Sequence, residues 1–246
     1  MSETVPSANL DEETIEAFDQ AQRQTIALMR RVVGELRPGQ SPDEIIKLSK
    51  NTAAKFGFNN WFRAPTVQLG APKSAFHSGH SDTLQTGTIV EINLAPSNDS
   101  AFGNLGHAFV FESDEEPQML AQARELCRAS CGFSNRFKCT GEVFVFAQAW
   151  AVNRSKSLGR ARSVGHRCFP RSGRSSLHWP KMARAAIYLR RNQIGWFNHR
   201  RMDGIYAIQP RLVSPTMGLS FQEMIFVEEH GQRILGRDHF DDIGTL

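Results

Sequence analysis

The feature that most restricts this chain is a change of period near residue 57. Before it, apolar residues recur at helical spacing; beyond it they alternate. Ile15, Phe18, Ile26, Leu28, Met29, Val32 and Val33 stripe one helix, expected over about 11–35. Leu36-Arg37-Pro38-Gly39 ends it, because a residue before proline avoids helical geometry and glycine permits the turn. Ser41-Pro42-Asp43-Glu44 then starts a second helix: serine caps, proline occupies the first turn, and Glu44 closes a capping box. That helix is expected to reach about Lys55, with Gly57 just past its end. Thr66–Leu69, Thr88–Leu94 and Ala108–Phe111 alternate as strands do. Two further helices, about 117–131 and 142–153, precede strand-like runs at Gly204–Gln209 and Met224–Glu228. Residues 1–10 read as a disordered tail and 11–246 as one domain without repeat or linker. This order fits an α+β fold.

Composition narrows the function classes. The 246 residues are 40% hydrophobic and 22% charged, which excludes disordered and fibrous chains. No apolar run approaches the roughly 18 residues that span a bilayer, and the acidic, polar start is the reverse of a secretory signal. Four cysteines, Cys127, Cys131, Cys139 and Cys168, do not describe a disulfide framework; reduced thiols and a cytoplasmic location are expected. Cys127 and Cys131, at helical spacing, read as core thiols rather than zinc ligands.

Charge is unevenly placed. Residues 1–150 hold 13 Lys/Arg against 18 Asp/Glu, whereas 151–202 hold 13 Lys/Arg and no acid. That block is compatible with a nucleic-acid footprint, a solvated basic face or a wall for an anionic small molecule. No helix-turn-helix, zinc finger or aromatic RNA-binding motif accompanies it, so nucleic acid is not favoured. The stretch 154–202 also reads as an insertion, as badly diverged sequence or as an out-of-frame segment of the source gene.

Several motifs occur in one order. They are Leu36–Glu44, a histidine (His77) upstream of a strand, Gly87-Thr-Ile-Val-Glu-Ile-Asn-Leu-Ala-Pro96 and Gly103-Asn-Leu-Gly-His-Ala-Phe109. Gly165-His166, Ile208-Gln209-Pro210, Gln222-Glu223 and Val227–Leu235 follow. Over about residues 11–236 this series resembles the catalytic domain of the creatinase/aminopeptidase P/methionine aminopeptidase (M24) family. The resemblance implies the pita-bread fold, a mostly antiparallel curved sheet flanked by helices, and often a homodimer.

It also implies where two divalent metals would be held, by Asp, Asp, His, Glu and Glu. Those positions fall here on Asn93, Asn104, His166, Gln209 and Glu223. Three of four carboxylates are thus their own amides. Amide oxygens neutralise no charge and do not bridge two cations, so a dinuclear site is not expected. No cofactor is expected, with a single weakly bound divalent ion as the exception.

The resemblance further suggests a creatinase-like, metal-independent hydrolase or lyase acting on a C–N bond of a small molecule or amino-acid derivative. His77, His166 and Glu223 would be catalytic, with His77 as general acid/base. Asn93, Asn104, Gln209, His178, His80 and His107 would line the substrate. The alternative is a catalytically silent module that binds nucleic acid or another anionic partner. Phe58 to Phe62 reads either as core or as a pocket lid.

Overall fold

The computed structural model describes residues 10–70, 83–99, 101–154, 160–161, 164–168, 193–196, 198–215, 217–229 and 231–236. The histidines His77, His80 and His178 lie outside them, as do the tail residues 1–9 and most of the acid-free segment.

The two opening helices form as their signals require. Helix α1 spans Glu12–Gly34, with Asp11 accepting from the Thr14 N–H at 2.8 Å. Helix α2 spans Pro42–Lys55 behind a complete capping box, in which the Ser41 N–H donates back to Glu44 at 2.8 Å. Strands β1 (Asn60–Leu69), β2 (Ile89–Ser97) and β3 (Leu105–Val110) make one antiparallel sheet in that order. Residues 60–62 therefore begin a strand, and the lid reading of this segment is replaced. Phe62 instead stacks on Phe102, ring centres 4.1 Å apart.

Helices α3 (Gln118–Phe133) and α4 (Thr140–Arg154) come next. Strands β4 (Arg160–Ala161), β5 (Gly165–Arg167), β6 (Gly204–Ile208), β7 (Arg211–Val213), β8 (Gly218–Ser220), β9 (Glu223–Glu228) and β10 (Gly231–Ile234) complete the described elements. They build a sheet of order β10-β9-β6-β5 and another of order β4-β7-β8, all antiparallel. Five of these strands are too short for alternation to reveal them. The fold is α+β, as the order of elements implies.

Two apolar clusters form the core. One joins α1 and α2 to the first sheet through Phe18, Ile26, Leu69, Ile92 and Leu94, and takes in Ala207 and Met224. The other joins α3 and α4 to Tyr206, Ile208, Phe221 and Ile225. Strands β6 and β9 thus send alternate residues to opposite clusters, as a period of two demands. The first two sheets meet where Gly106 and Gln222 exchange backbone hydrogen bonds, N–H to O at 3.3 and 2.9 Å. Among the described residues no helix is long and apolar enough to cross a membrane.

Candidate functional site

The candidate polar residues gather around that seam. Gly106 is required there: a Cβ would lie inside contact distance of Asn93 Oδ1 and 2.9 Å from Gln222 Cβ. Asn93 sits opposite Gly106 in the β2–β3 ladder, and its Oδ1 accepts from Gln209 Nε2 at 2.9 Å. Asn104 is fully buried, just before β3. Gln22 of α1 clamps its backbone, accepting from the Asn104 N–H at 2.8 Å and donating to its carbonyl at 3.5 Å. The Asn104 amide nitrogen faces His166 Nε2 at 3.4 Å. Gly165 places that histidine: its φ is +134°, and a Cβ there would collide with the Ala207 carbonyl. Asn93, Asn104, His166 and Gln209 are therefore brought together.

Two other members of the cluster were not singled out from sequence. Arg63 of β1 donates through Nη2 to Asn104 Oδ1 at 3.0 Å and to Gln222 Oε1 at 3.2 Å. Gln222 is wholly buried. The ladder between β1 and β2 shifts register on both sides of Arg63, an irregularity that re-aims side chains. No motif signals Arg63, and the Gln222-Glu223 motif is assigned through its second residue. The register slips around Arg63 exist only once the sheet has formed.

Glu223 is not part of the cluster. It pairs with Ile208 across β6 and β9, on the face turned to α3 and α4. There it meets the Cys127/Cys131 pair. A hydrogen bond with Cys127, then burial, then Glu223 push the Cys131 thiol well above its usual range. Cys127 and Cys131 are buried core thiols, as their spacing implies. The sequence carries Gln222 and Glu223 side by side, and in a strand neighbours face opposite ways. The fourth carboxylate position is thus filled in space by Gln222, another amide, and Glu223 is corrected to a buried residue behind the sheet. His107 also stands apart, packed against Phe109 and Phe221 with centroids 5.9 and 5.5 Å away. Burial and the Arg124 charge pull its pKa down to about 3.

Hydrogen-bond logic fixes the orientation of each amide. A guanidinium only donates, so Asn104 and Gln222 must present oxygen to Arg63. The Asn104 nitrogen then faces His166, whose Nε2 must accept. His166 is accordingly neutral: burial, then the Arg63 charge, bring its pKa to about 3. On the other side, Glu91 accepts from Asn93 Nδ2 at 3.2 Å, which turns the Asn93 oxygen toward Gln209. Glu91 is itself locked by Arg211, whose Nη1 lies 2.9 Å from both carboxylate oxygens, and by Ser220 Oγ at 2.8 Å.

This donor set does not fit a pair of divalent cations. The oxygens of Asn93, Asn104 and Gln222 already accept hydrogen bonds, and the cluster contains a guanidinium. Among the described residues no three His, Cys, Asp or Glu side chains converge as a metal would need. A cavity of about 450 Å³ opens elsewhere, lined by Phe133, Phe146, Trp196 and His199, and no candidate residue borders it.

No family model and no curated protein sequence matches the chain. Solved structures do. An X-Pro aminopeptidase from Thermotoga maritima superposes with a TM-score of 0.72 at 16% identity, over 92% of this chain and 62% of its own. A prolidase from Pyrococcus furiosus gives 0.72 and 16%, over 92% and 64%. A methionine aminopeptidase, also from Thermotoga maritima, gives 0.70 and 14%, over 92% and 98%. The chain spans about three fifths of the first two and nearly all of the third. The likeness establishes the pita-bread fold that the motif series implies.

Proposed function

We propose that this chain is a metal-independent pita-bread protein that binds a small amino-acid derivative at the amide-lined seam and cleaves a C–N bond in it. The observation that carries the metal-independent part is the Asn93–Asn104–Gln209–Gln222 set gathered around Arg63. Four carboxylates would balance two divalent ions, whereas four amides and a guanidinium leave the same volume with net positive charge. The choice of substrate class rests on the fold neighbours, whose names are aminopeptidase and prolidase. In hydrolysis, the water oxygen bonds to carbon as the C–N bond breaks, and nitrogen leaves with a proton. His77 is assigned that proton transfer, and neutral His166, Asn93 and Gln222 hold the substrate's polar edge.

A second reading is favoured by one observation. Among the described cluster residues the one imidazole, His166, is pulled down to about 3 by burial and the Arg63 charge, so it does not exchange a proton near neutrality. A silent binding module needs no such group.

Metal analysis of the purified chain tests the first claim, with Asn93→Asp/Asn104→Asp/Gln209→Glu/Gln222→Glu as the comparison. Stoichiometric metal in the unaltered protein sinks it. Amine release from a panel of N-acyl amino acids and dipeptides separates the two readings. Turnover abolished by His77→Ala supports catalysis, and turnover untouched by that change removes His77 from the mechanism. Saturable binding without any amine release supports the silent module.

A further inference from the structure

Arg63 is a partly exposed guanidinium in a cluster that offers it only amide oxygens. Its hydrogen bonds to Asn104 and Gln222 both run through Nη2, and among the described residues no carboxylate pairs with it. Burial alone already draws its pKa below the ordinary arginine value. A charge held in a desolvated site without a counter-charge is costly, and proteins keep one where a ligand supplies the opposite sign. A second donor points the same way. Gln222 is wholly buried, its oxygen is committed to Arg63, and its Nε2 has no partner among the described residues. Asn93 and Gln209 beside it are half-exposed, and Thr66, next to Asn93, is exposed, so the seam approaches the surface on that side.

We infer that the edge of the Arg63 guanidinium that no described residue engages, with Gln222 Nε2 beside it, is a binding site for a small-molecule carboxylate. This rests on the metal-independent reading of the same seam and adds to it the ligand's charge and its anchor. A carboxylate-lined seam attracts cations, whereas this amide-lined seam with its guanidinium attracts an anion. The fork of a guanidinium matches two carboxylate oxygens, and the amide supplies a third hydrogen bond to one of them. One negative charge balances the cluster's one positive charge. A neutral isostere of the ligand would leave both donors underused.

The test uses the full chain with three probes: N-acetylglycine, its neutral analogue N-acetylglycinamide, and inorganic phosphate. Binding is read by the saturable rise in thermal unfolding midpoint and by isothermal calorimetry. N-acetylglycine is expected to bind at least about tenfold more tightly than the amide, the ratio lost when a charge-assisted pair is replaced by neutral contacts. Phosphate is expected to compete weakly; phosphate binding without N-acetylglycine binding would mean an inorganic-anion site and overturn the carboxylate assignment. Arg63→Gln should erase the acid–amide difference, and Arg63→Lys, which keeps charge but loses the fork, should restore part of it. Equal binding of acid and amide, or no binding of the acid, to the unaltered protein overturns the inference without reference to any variant. Metal content is measured in parallel. Bound metal would sink the metal-independent reading, while the acid–amide ratio alone decides this one.

Discussion

Glu91 is the residue whose loss should be felt most widely, and the structure sets the size of the effect. Its side chain is 1% exposed and faces Arg211, itself 8% exposed. Arg211 Nη1 touches both carboxylate oxygens at 2.9 Å, while Ser220 adds its hydroxyl at 2.8 Å and its backbone N–H at 3.3 Å. Glu91→Gln keeps the shape but deletes the charge, and either amide orientation turns an N–H toward an existing donor. The guanidinium is then buried without its counter-ion. Removing one member of a buried pair typically costs about 3–5 kcal/mol, and that is the expected loss here. The double variant Glu91→Leu/Arg211→Met removes both charges, so it should be more stable than Glu91→Gln by about 2 kcal/mol. Recovery stays incomplete because Gln68 and the Gly218 carbonyl lose the bonds they accept from Arg211 Nη2. Urea unfolding at pH 7, followed by circular dichroism, measures these variants and the singles Glu91→Leu and Arg211→Met, which complete the double-mutant cycle. A loss below about 1 kcal/mol for Glu91→Gln, or no coupling in the cycle, would refute the view that this pair holds the seam from beneath.

Other expectations concern pH, packing and caps. His166 and His107 have native pKa values near 3 against an ordinary 6.5, so only the unfolded chain takes up protons as pH falls through this interval. Their stabilising contribution is complete above about pH 6.5. It is lost toward pH 3, at about 1.4 kcal/mol per pH unit for each histidine. His107→Phe should therefore lower the pH slope of the urea-derived stability by one proton, and an unchanged slope would disprove the assignment. Gly106→Ala drives a methyl group against Asn93 and Gln222 at the seam; a loss of about 1–3 kcal/mol is expected in thermal unfolding. Ser41→Ala removes the capping box of α2 and should cost about 1 kcal/mol, with no effect on probe binding at the seam.

Much of this architecture is written locally. Asp11, Ser41, Pro42 and Glu44 are start signals whose hydrogen bonds close within three residues, so α1 and α2 begin where the sequence places them. The run 88–94 marks most of β2, and the run 108–111 overlaps the second half of β3. The amides at 93, 104 and 209 and the histidine at 166 can be matched by motif and order, and they do converge. The strands of two to four residues could not be read, because so short a run does not establish a period.

Two decisions belonged to the tertiary structure alone. Gln222 and Glu223 are neighbours in a strand, so sheet pairing determines which of them enters the seam. Ile208 opposite Glu223 and the backbone bridge of Gly106 to Gln222 settle it in favour of the amide. Arg63 lies 41 residues from Asn104 and 159 from Gln222, on a strand whose register slips on either side of it. Composition and spacing could tell that the acids had become amides. Only strand alternation, which reverses a side chain with each step, and a bulge, which redirects one, could place a positive charge among them.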